Sequence, residues 1–302
     1  MRFCLMNTVS GVLLRAVRRL GKGRFYFRGW RIKEDNMSVI SERENYYFID
    51  THAHLDMLKK ITPEFAVKQS MLDGVRYMIN VGSSLAGSRK ALEYSKQFEN
   101  VYASVGIHPH YADSFDKKQL LELESMIENS YKIVAVGEAG FDYFRNLSSK
   151  ENQRKAFVKQ IEIALKYKLP LIVHDRDAHD DIMDVLKDYA NASDFRAVVH
   201  CFSGDAGFAS KCLDYGFYIS FTGVITFPNA KKLAETVREV PIEKIFLETD
   251  SPFLAPQEKR GQENYPGYVK YIAYKIAEIK EMTIPDVANI TSSNAEEFFG
   301  IT

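Results

Sequence analysis

The stretch Phe48-Ile49-Asp50-Thr51-His52-Ala53-His54-Leu55-Asp56 closes an apolar run with two histidines one residue apart. In extended chain, residues i and i+2 project to the same side, so His52 and His54 can aim two imidazoles at one point, as neutral ligands of a metal must. Taken alone, the H-x-H pattern fits two hydrogen-bonded strand histidines equally well. What surrounds it decides between the two.

From Tyr46 onward, short apolar or β-branched runs alternate with longer amphipathic ones, the pattern of β-α units around a parallel sheet. Strands are expected at 46–50, 75–81, 101–107, 132–138, 170–175, 196–202, 216–222 and 244–250. Helix-period spacing falls between them at 85–98, 116–129, 150–168, 178–189, 205–214 and 229–240. Ser148-Ser149-Lys150-Glu151 has the spacing of a capping box, and Pro63-Glu64 suits a first helical turn. Eight strands, each followed by a helix, predict an α/β fold, a (β/α)8 TIM barrel filling 37–302 as one domain. Helical segments at 264–281 and 284–299 would lean on its outside.

A chain of 302 residues, 46% hydrophobic and 26% charged, is long enough for a large core and excludes disordered, collagen-like and coiled-coil classes. No apolar run is long enough to cross a bilayer. Cys4, Cys201 and Cys212 are odd in number and lack C-x-x-C spacing, which suits a reducing, cytoplasmic location. Residues 1–36 form a basic extension with nine Lys or Arg against Glu34 and Asp35, and no clear strand or long helix. The remaining 31 basic and 38 acidic residues leave the body at a formal −7, so attraction to a polyanion would need bound cations or a local basic patch. The extension reads as a targeting peptide, a basic arm or an over-extended reading frame beginning truly at Met37; the last is favoured, because Met37 just precedes the first clear strand and no A-x-A cleavage site is present.

Six of the seven histidines fall at or just past expected strand ends: His52, His54, His108, His110, His174 and His200; His179 falls in a helix and reads as a surface residue. Glu138 and Asp250 share that placement. In a barrel all strand C-termini converge on one face, so these residues would meet there. Buried carboxylates beside apolar strands need a cation, and mixed imidazole and carboxylate donors suit Zn²⁺, Mn²⁺ or Co²⁺, with Mg²⁺ where oxygens dominate. Six ligands exceed one tetrahedral set. Two divalent ions sharing Glu138 is the natural arrangement, one held by His52, His54 and Asp250, the other by His174 and His200.

Six segments carry a resemblance: Asp50-Thr51-His52-Ala53-His54-Leu55-Asp56, Gly106-Ile107-His108-Pro109-His110, Gly137-Glu138-Ala139-Gly140-Phe141-Asp142-Tyr143, His174-Asp175-Arg176-Asp177-Ala178, His200-Cys201-Phe202-Ser203-Gly204 and Glu248-Thr249-Asp250-Ser251-Pro252. In order, they resemble the motifs of the TatD family of metal-dependent deoxyribonucleases, in the amidohydrolase superfamily. The resemblance runs from Phe48 to Phe299, with Asn294-Ala295 and Phe298-Phe299 similar to the family's closing helix. Ala139 and Phe141 stand where aliphatic residues are usual, and the basic extension lies outside the match. The resemblance implies a TIM barrel with a two-metal site that hydrolyses DNA phosphodiesters, often 3′ to 5′ on single strands.

On that reading Asp250, Glu138 and His108 are the expected catalytic residues. Asp250 ligates and accepts the proton of the attacking water, Glu138 bridges, and His108 donates to a phosphate oxygen or the leaving group. His108, Arg176 and Ser203 would bind substrate, the planar fork of Arg176 suiting a phosphate. Glu248 belongs behind the ligands, Asp50 is expected to support them from inside, and Asp56 makes a loop contact. Tyr143, Phe202 and Phe253 are candidates for stacking on unpaired bases, or for packing. Two other functions fit the same residues: a metal-dependent esterase acting on D-aminoacyl-tRNA or another small ester or amide, and a non-catalytic nucleic-acid-binding scaffold. The expected partner is single-stranded DNA, with the chain a monomer off the membrane.

Overall fold

A computed structural model of the chain describes residues 46–301 and, for the backbone alone, the short strands Tyr26–Phe27, Trp30–Ile32 and Val39–Ser41. Those three pair antiparallel in a unit of their own, where the sequence reading finds no clear strand before residue 37. The rest of the basic extension, and Met37 as its alternative start, lie outside the described residues.

In the larger unit eight parallel strands follow one another in sequence order: β1 (Phe48–Ala53), β2 (Val75–Val81), β3 (Val101–Val105), β4 (Ile133–Asp142), β5 (Leu171–Arg176), β6 (Ala197–Val199), β7 (Tyr218–Phe221) and β8 (Ile245–Leu247). Ala53 and Ser251 bridge in parallel, Asp250 N donates to His52 O (2.8 Å), and His54 N donates to Ser251 O (2.7 Å), which closes the sheet into the expected (β/α)8 barrel. The seam is thus made by the segments that carry His52, His54 and Asp250.

Helices α1 (Pro63–Leu72), α2 (Leu85–Gln97), α3 (Lys117–Glu128), α4 (Lys150–Tyr167), α5 (His179–Leu186), α6 (Ala206–Asp214) and α7 (Lys231–Glu239) fill the crossovers, and α8 (Val269–Lys280) and α9 (Ile284–Phe299) follow β8. Their starts are chemically marked: Thr62, Ser84, Asp116, Ser149, Asp205 and Thr283 each accept a backbone N–H of the first turn. The cap of α4 is Ser149, one residue later than the capping-box spacing from Ser148 predicts. Ser148 is drawn instead into the β3–α3 connection, accepting from Asp113 N (3.1 Å) and donating to His110 O (3.0 Å).

Alternation along the strands separates two apolar clusters. On β2, Met78 joins the helix-side cluster, while Ile79 and Val81 join a second one with Ile172 and Phe246. Phe298 and Phe299 of α9 cap that second cluster, their ring centroids 5.1 and 5.5 Å from that of Phe246. Asn294 donates to Ile242 O and Ile245 O, and Ser292 to Tyr47 O, so α9 covers the strand N-termini. The C-terminal mouth is left to polar residues. No helix among the described residues is long and apolar enough to cross a membrane.

Strand ends differ from expectation where backbone pairing, rather than hydrophobic content, sets them. β1 begins two residues later and runs through Ala53, taking His52 into the strand. β6 and β8 stop at Val199 and Leu247, leaving His200 and Asp250 on the loops beyond. β4 continues past Glu138 to Asp142, so Glu138 sits inside the strand, at an irregularity in its register with β5.

Candidate metal centre

At the C-terminal mouth Glu138, carried on β4, lies between two groups of donors. Its Oε2 lies 3.6 Å from His52 Nε2 and 3.7 Å from His54 Nε2, both of which approach Asp250 Oδ1, at 3.8 and 3.5 Å. Its Oε1 lies 2.5 Å from His174 Nδ1, 2.8 Å from His200 Nε2 and 3.5 Å from His108 Nε2. Metal-binding spacing is met by His52, His54 and Asp250, by His52, His200 and Glu138, and by His108, His174 and Glu138, so Glu138 shares two of these groups.

The donor chemistry fits cations. His54 Nδ1 faces Val81 O at 2.8 Å, which makes it the N–H side of the ring and leaves Nε2 a lone pair aimed at the centre. That lone pair faces His52 Nε2 at 3.2 Å, and His174 Nδ1 faces His200 Nε2 at 3.2 Å. Lone pairs this close repel unless a proton or metal lies between them. The outer nitrogens of three of these rings, His52 Nδ1, His174 Nε2 and His200 Nδ1, are buried without a hydrogen bond. Carboxylates stand just behind them: Glu248 at 4.0 Å from His52 and 3.5 Å from His200, and Asp142 at 3.5 Å from His174. Rings so backed are oriented and made more basic toward a metal.

Burial opposes charge on Glu138, but the rings of His200, His108 and His174 outweigh it and hold the carboxyl well below its ordinary range. Asp250 is likewise lowered, its burial overcome by His54 and His52. For His54 the Asp250 carboxylate overcomes burial and pushes the ring up to about 9, so an ion held at Nε2 would take the place of a proton there. His108 behaves oppositely: burial, reinforced by His174, keeps it well below the usual histidine value and neutral. Its Nδ1 accepts from His110 N (3.1 Å), which assigns the remaining proton to Nε2, facing Glu138.

Asp50 accepts from Thr249 N (2.8 Å) and Thr249 Oγ1 (2.6 Å), stapling β1 to the residue before Asp250. Asp250 itself adopts φ +52°, a left-handed conformation that aspartate tolerates better than most side chains. Glu248 accepts from Cys201 N (2.5 Å), as expected for a residue behind the ligands. Asp56 is partly buried near the mouth. Arg176 ends β5 and is exposed, its guanidinium 4.1 Å over the Phe144 ring; Ser203 is exposed on the loop after His200. Tyr143 is bound to Asp181 (2.6 Å), Phe202 is buried against Phe208, and Phe253 is exposed.

Two residues play parts the sequence reading did not give them. Asp142 accepts from His110 Nε2 (2.8 Å) while backing His174; its carboxyl is held low by His174, Arg145 N and His110 against the cost of burial. Its position four residues after Glu138 in the Gly-Phe-Asp-Tyr segment was the available signal. His179 is no plain surface residue: it bonds Asp175 at 2.6 Å and stacks on Phe208 at 4.4 Å. A groove of about 590 Å³ between α3 and α4, lined by Phe115, Leu120 and Lys159, belongs to the outer helix layer and contains none of the centre.

A family model described as TatD related DNase matches residues 49–300. The chain is 39% identical over 253 residues to the uncharacterized metal-dependent hydrolase YabD of Bacillus subtilis, covering 83% of this chain and 98% of that one. It is 35% identical over 261 residues to the uncharacterized metal-dependent hydrolase YcfH of Escherichia coli, covering 84% and 96%. Among solved structures, YjjV, a TatD homolog from E. coli K12, superposes with a TM-score of 0.79 at 28% identity, covering 84% of this chain and 98% of its own.

Proposed function

The chain belongs to the TatD related DNase family and is a metal-dependent hydrolase, and we propose that it hydrolyses phosphodiester bonds of single-stranded DNA from the 3′ end with two divalent ions. The observation that carries this reading is Glu138, whose two oxygens each face a separate set of imidazole nitrogens. His52, His54 and Asp250 would hold one ion, His174 and His200 the other, and Glu138 both. Divalent ions there supply Lewis acidity that makes water nucleophilic near neutral pH and offsets phosphate charge.

The chain's own groups do the rest. Asp250, kept ionised, stands at the edge of its set and takes the proton of the attacking water. His108, neutral with its proton on Nε2, is a donor toward a phosphate oxygen or the departing alkoxide. Arg176 offers two parallel N–H groups to a neighbouring phosphate, and Ser203 a hydroxyl. Asp142 behind His174, and Glu248 behind His52 and His200, would orient those rings before substrate arrives.

The test is hydrolysis of end-labelled single-stranded DNA after reconstitution with Mn²⁺, Co²⁺, Zn²⁺ or Mg²⁺, run beside D-tyrosyl-tRNA. Shortening from the 3′ end is expected, with His52→Ala, Glu138→Ala and Asp250→Asn inactive though folded. Full activity in those variants, or cleavage of the tRNA ester alone, would overturn the proposal.

A further inference from the structure

Two exposed phenylalanines flank the centre where the barrel places them on opposite sides. Phe253 follows Asp250 in the loop after β8, beside β1. Its N–H donates to Asp250 O (2.9 Å) and its carbonyl accepts from the buried amide of Asn264 (2.5 Å), so its backbone is pinned. Its ring remains 50% exposed, 6.3 Å from the ring of His54. Phe144, 62% exposed, lies in the turn after β4. Arg176, paired in register with Asp142, lays its guanidinium over that ring. It stands two residues beyond His174 on β5 and leaves the strand on the same side. Among the described residues no carboxylate is ion-paired with Arg176.

In an eight-stranded barrel of sequential order, the β8–β1 seam lies across the mouth from β4 and β5. The rings therefore bracket Glu138, one beside the His54 and Asp250 set, the other beside the His174 set. Aromatic rings near a phosphate-binding centre suit bases, whose faces all stack regardless of sequence, and an Arg over one ring can grip the attached phosphate. Those faces are buried within a duplex and open only in an unpaired strand.

Resting on the nuclease reading above, we propose that Phe253 and the Phe144–Arg176 pair are two base platforms, each holding one unpaired nucleotide on its own side of the scissile phosphate. They act on binding and on the choice of single over double strands. Bond cleavage stays with the centre.

The experiment compares wild-type, Phe253→Ala and Phe144→Ala on a single-stranded oligothymidylate and on oligomers with a base-free sugar analogue at either position flanking the cleaved bond. Each substitution is expected to lower kcat/KM on the full oligomer by about five- to a hundredfold, mainly through KM. On the oligomer lacking the base that platform holds, the loss should vanish. Phe253→Trp and Phe144→Tyr should restore activity, and the new tryptophan's fluorescence should be quenched by oligothymidylate. Equal losses on full and base-free oligomers, or no loss at all with an active wild type, would overturn the platforms alone. A wild type inert toward DNA with all four metals overturns the nuclease reading and this inference together.

Discussion

Glu248 stands behind two ligand rings at once, facing Nδ1 of His52 and Nδ1 of His200, and touches neither face that would meet an ion. Glu248→Gln keeps the shape and the acceptor for Cys201 N but removes the charge that makes both rings better donors. Metal affinity should fall about 10–100-fold, read by competition titration against a coloured chelator, while the circular dichroism spectrum stays unchanged. Unaltered affinity would show that the carboxylate does not act through the rings. The residues of the centre were legible because strand-end placement is written in the hydrophobic pattern: each of His52, His54, Glu138, His174, His200 and Asp250 interrupts or closes an apolar run. Asp142 was not, since its part depends on β4 running past Glu138, which no local preference announces. The tautomer of His108 was equally hidden, being set by one backbone N–H two residues away.

At the scale of elements, β4 is the strand that periodicity describes least well. Gly140 (φ +152°) brings β4 so close to β5 that a Cβ there would lie 2.0 Å from His174 O, a backbone atom that cannot step aside. That approach carries β4 on to Asp142. Gly140→Ala should cost about 3 kcal/mol and push His174 out of line, seen as a lower urea midpoint together with weakened metal binding. A wild-type midpoint would contradict it. Ser149 tests a helix start whose own hydrogen bonds go to Asn152 and Asp113 rather than to the ligands: loss of its cap in Ser149→Ala should cost about 1 kcal/mol in the same denaturation, with hydrolysis little changed. Helices were legible from their 3.6-residue spacing and start residues. Strand ends were less so: β8 stops level with the last residue of β7, whereas β6 stops at Val199 although β5 and β7 run on, the chain turning at Cys201 (φ +47°), and no periodicity announces either end.

Across the whole molecule, Asp73 at the end of α1 ties the β1–β2 crossover to the C-terminal region, accepting from Tyr265 Oη and Lys270 Nζ, both at 2.6 Å. Burial works against its charge, but the bonds from Lys270 and Tyr265 outweigh it and lower its pKa. A carboxylate lowered on folding adds stability that is complete above its unfolded pKa and is lost as pH falls through the folded one. The melting temperature of the wild type should therefore fall more steeply than that of Asp73→Asn from about pH 5 to pH 2, and parallel slopes would refute the tie. Stripping divalent ions should also lower the melting temperature, by about 5–10 °C if the ions are held at a hundred times their Kd, and restoring them should reverse it. The seam explains why the two properties travel together: the hydrogen bonds closing the barrel join the backbone of His52 and His54 to that of Asp250 and Ser251. It also sets a time of onset during synthesis. A growing chain carries His52, His54, Glu138, His174 and His200 but lacks Asp250 until β8 has emerged, so a ribosome that stalls before the last strand releases a product with an open wall and a centre short of one ligand. On the proposed mechanism, hydrolysis should therefore begin only once Asp250 has joined the seam.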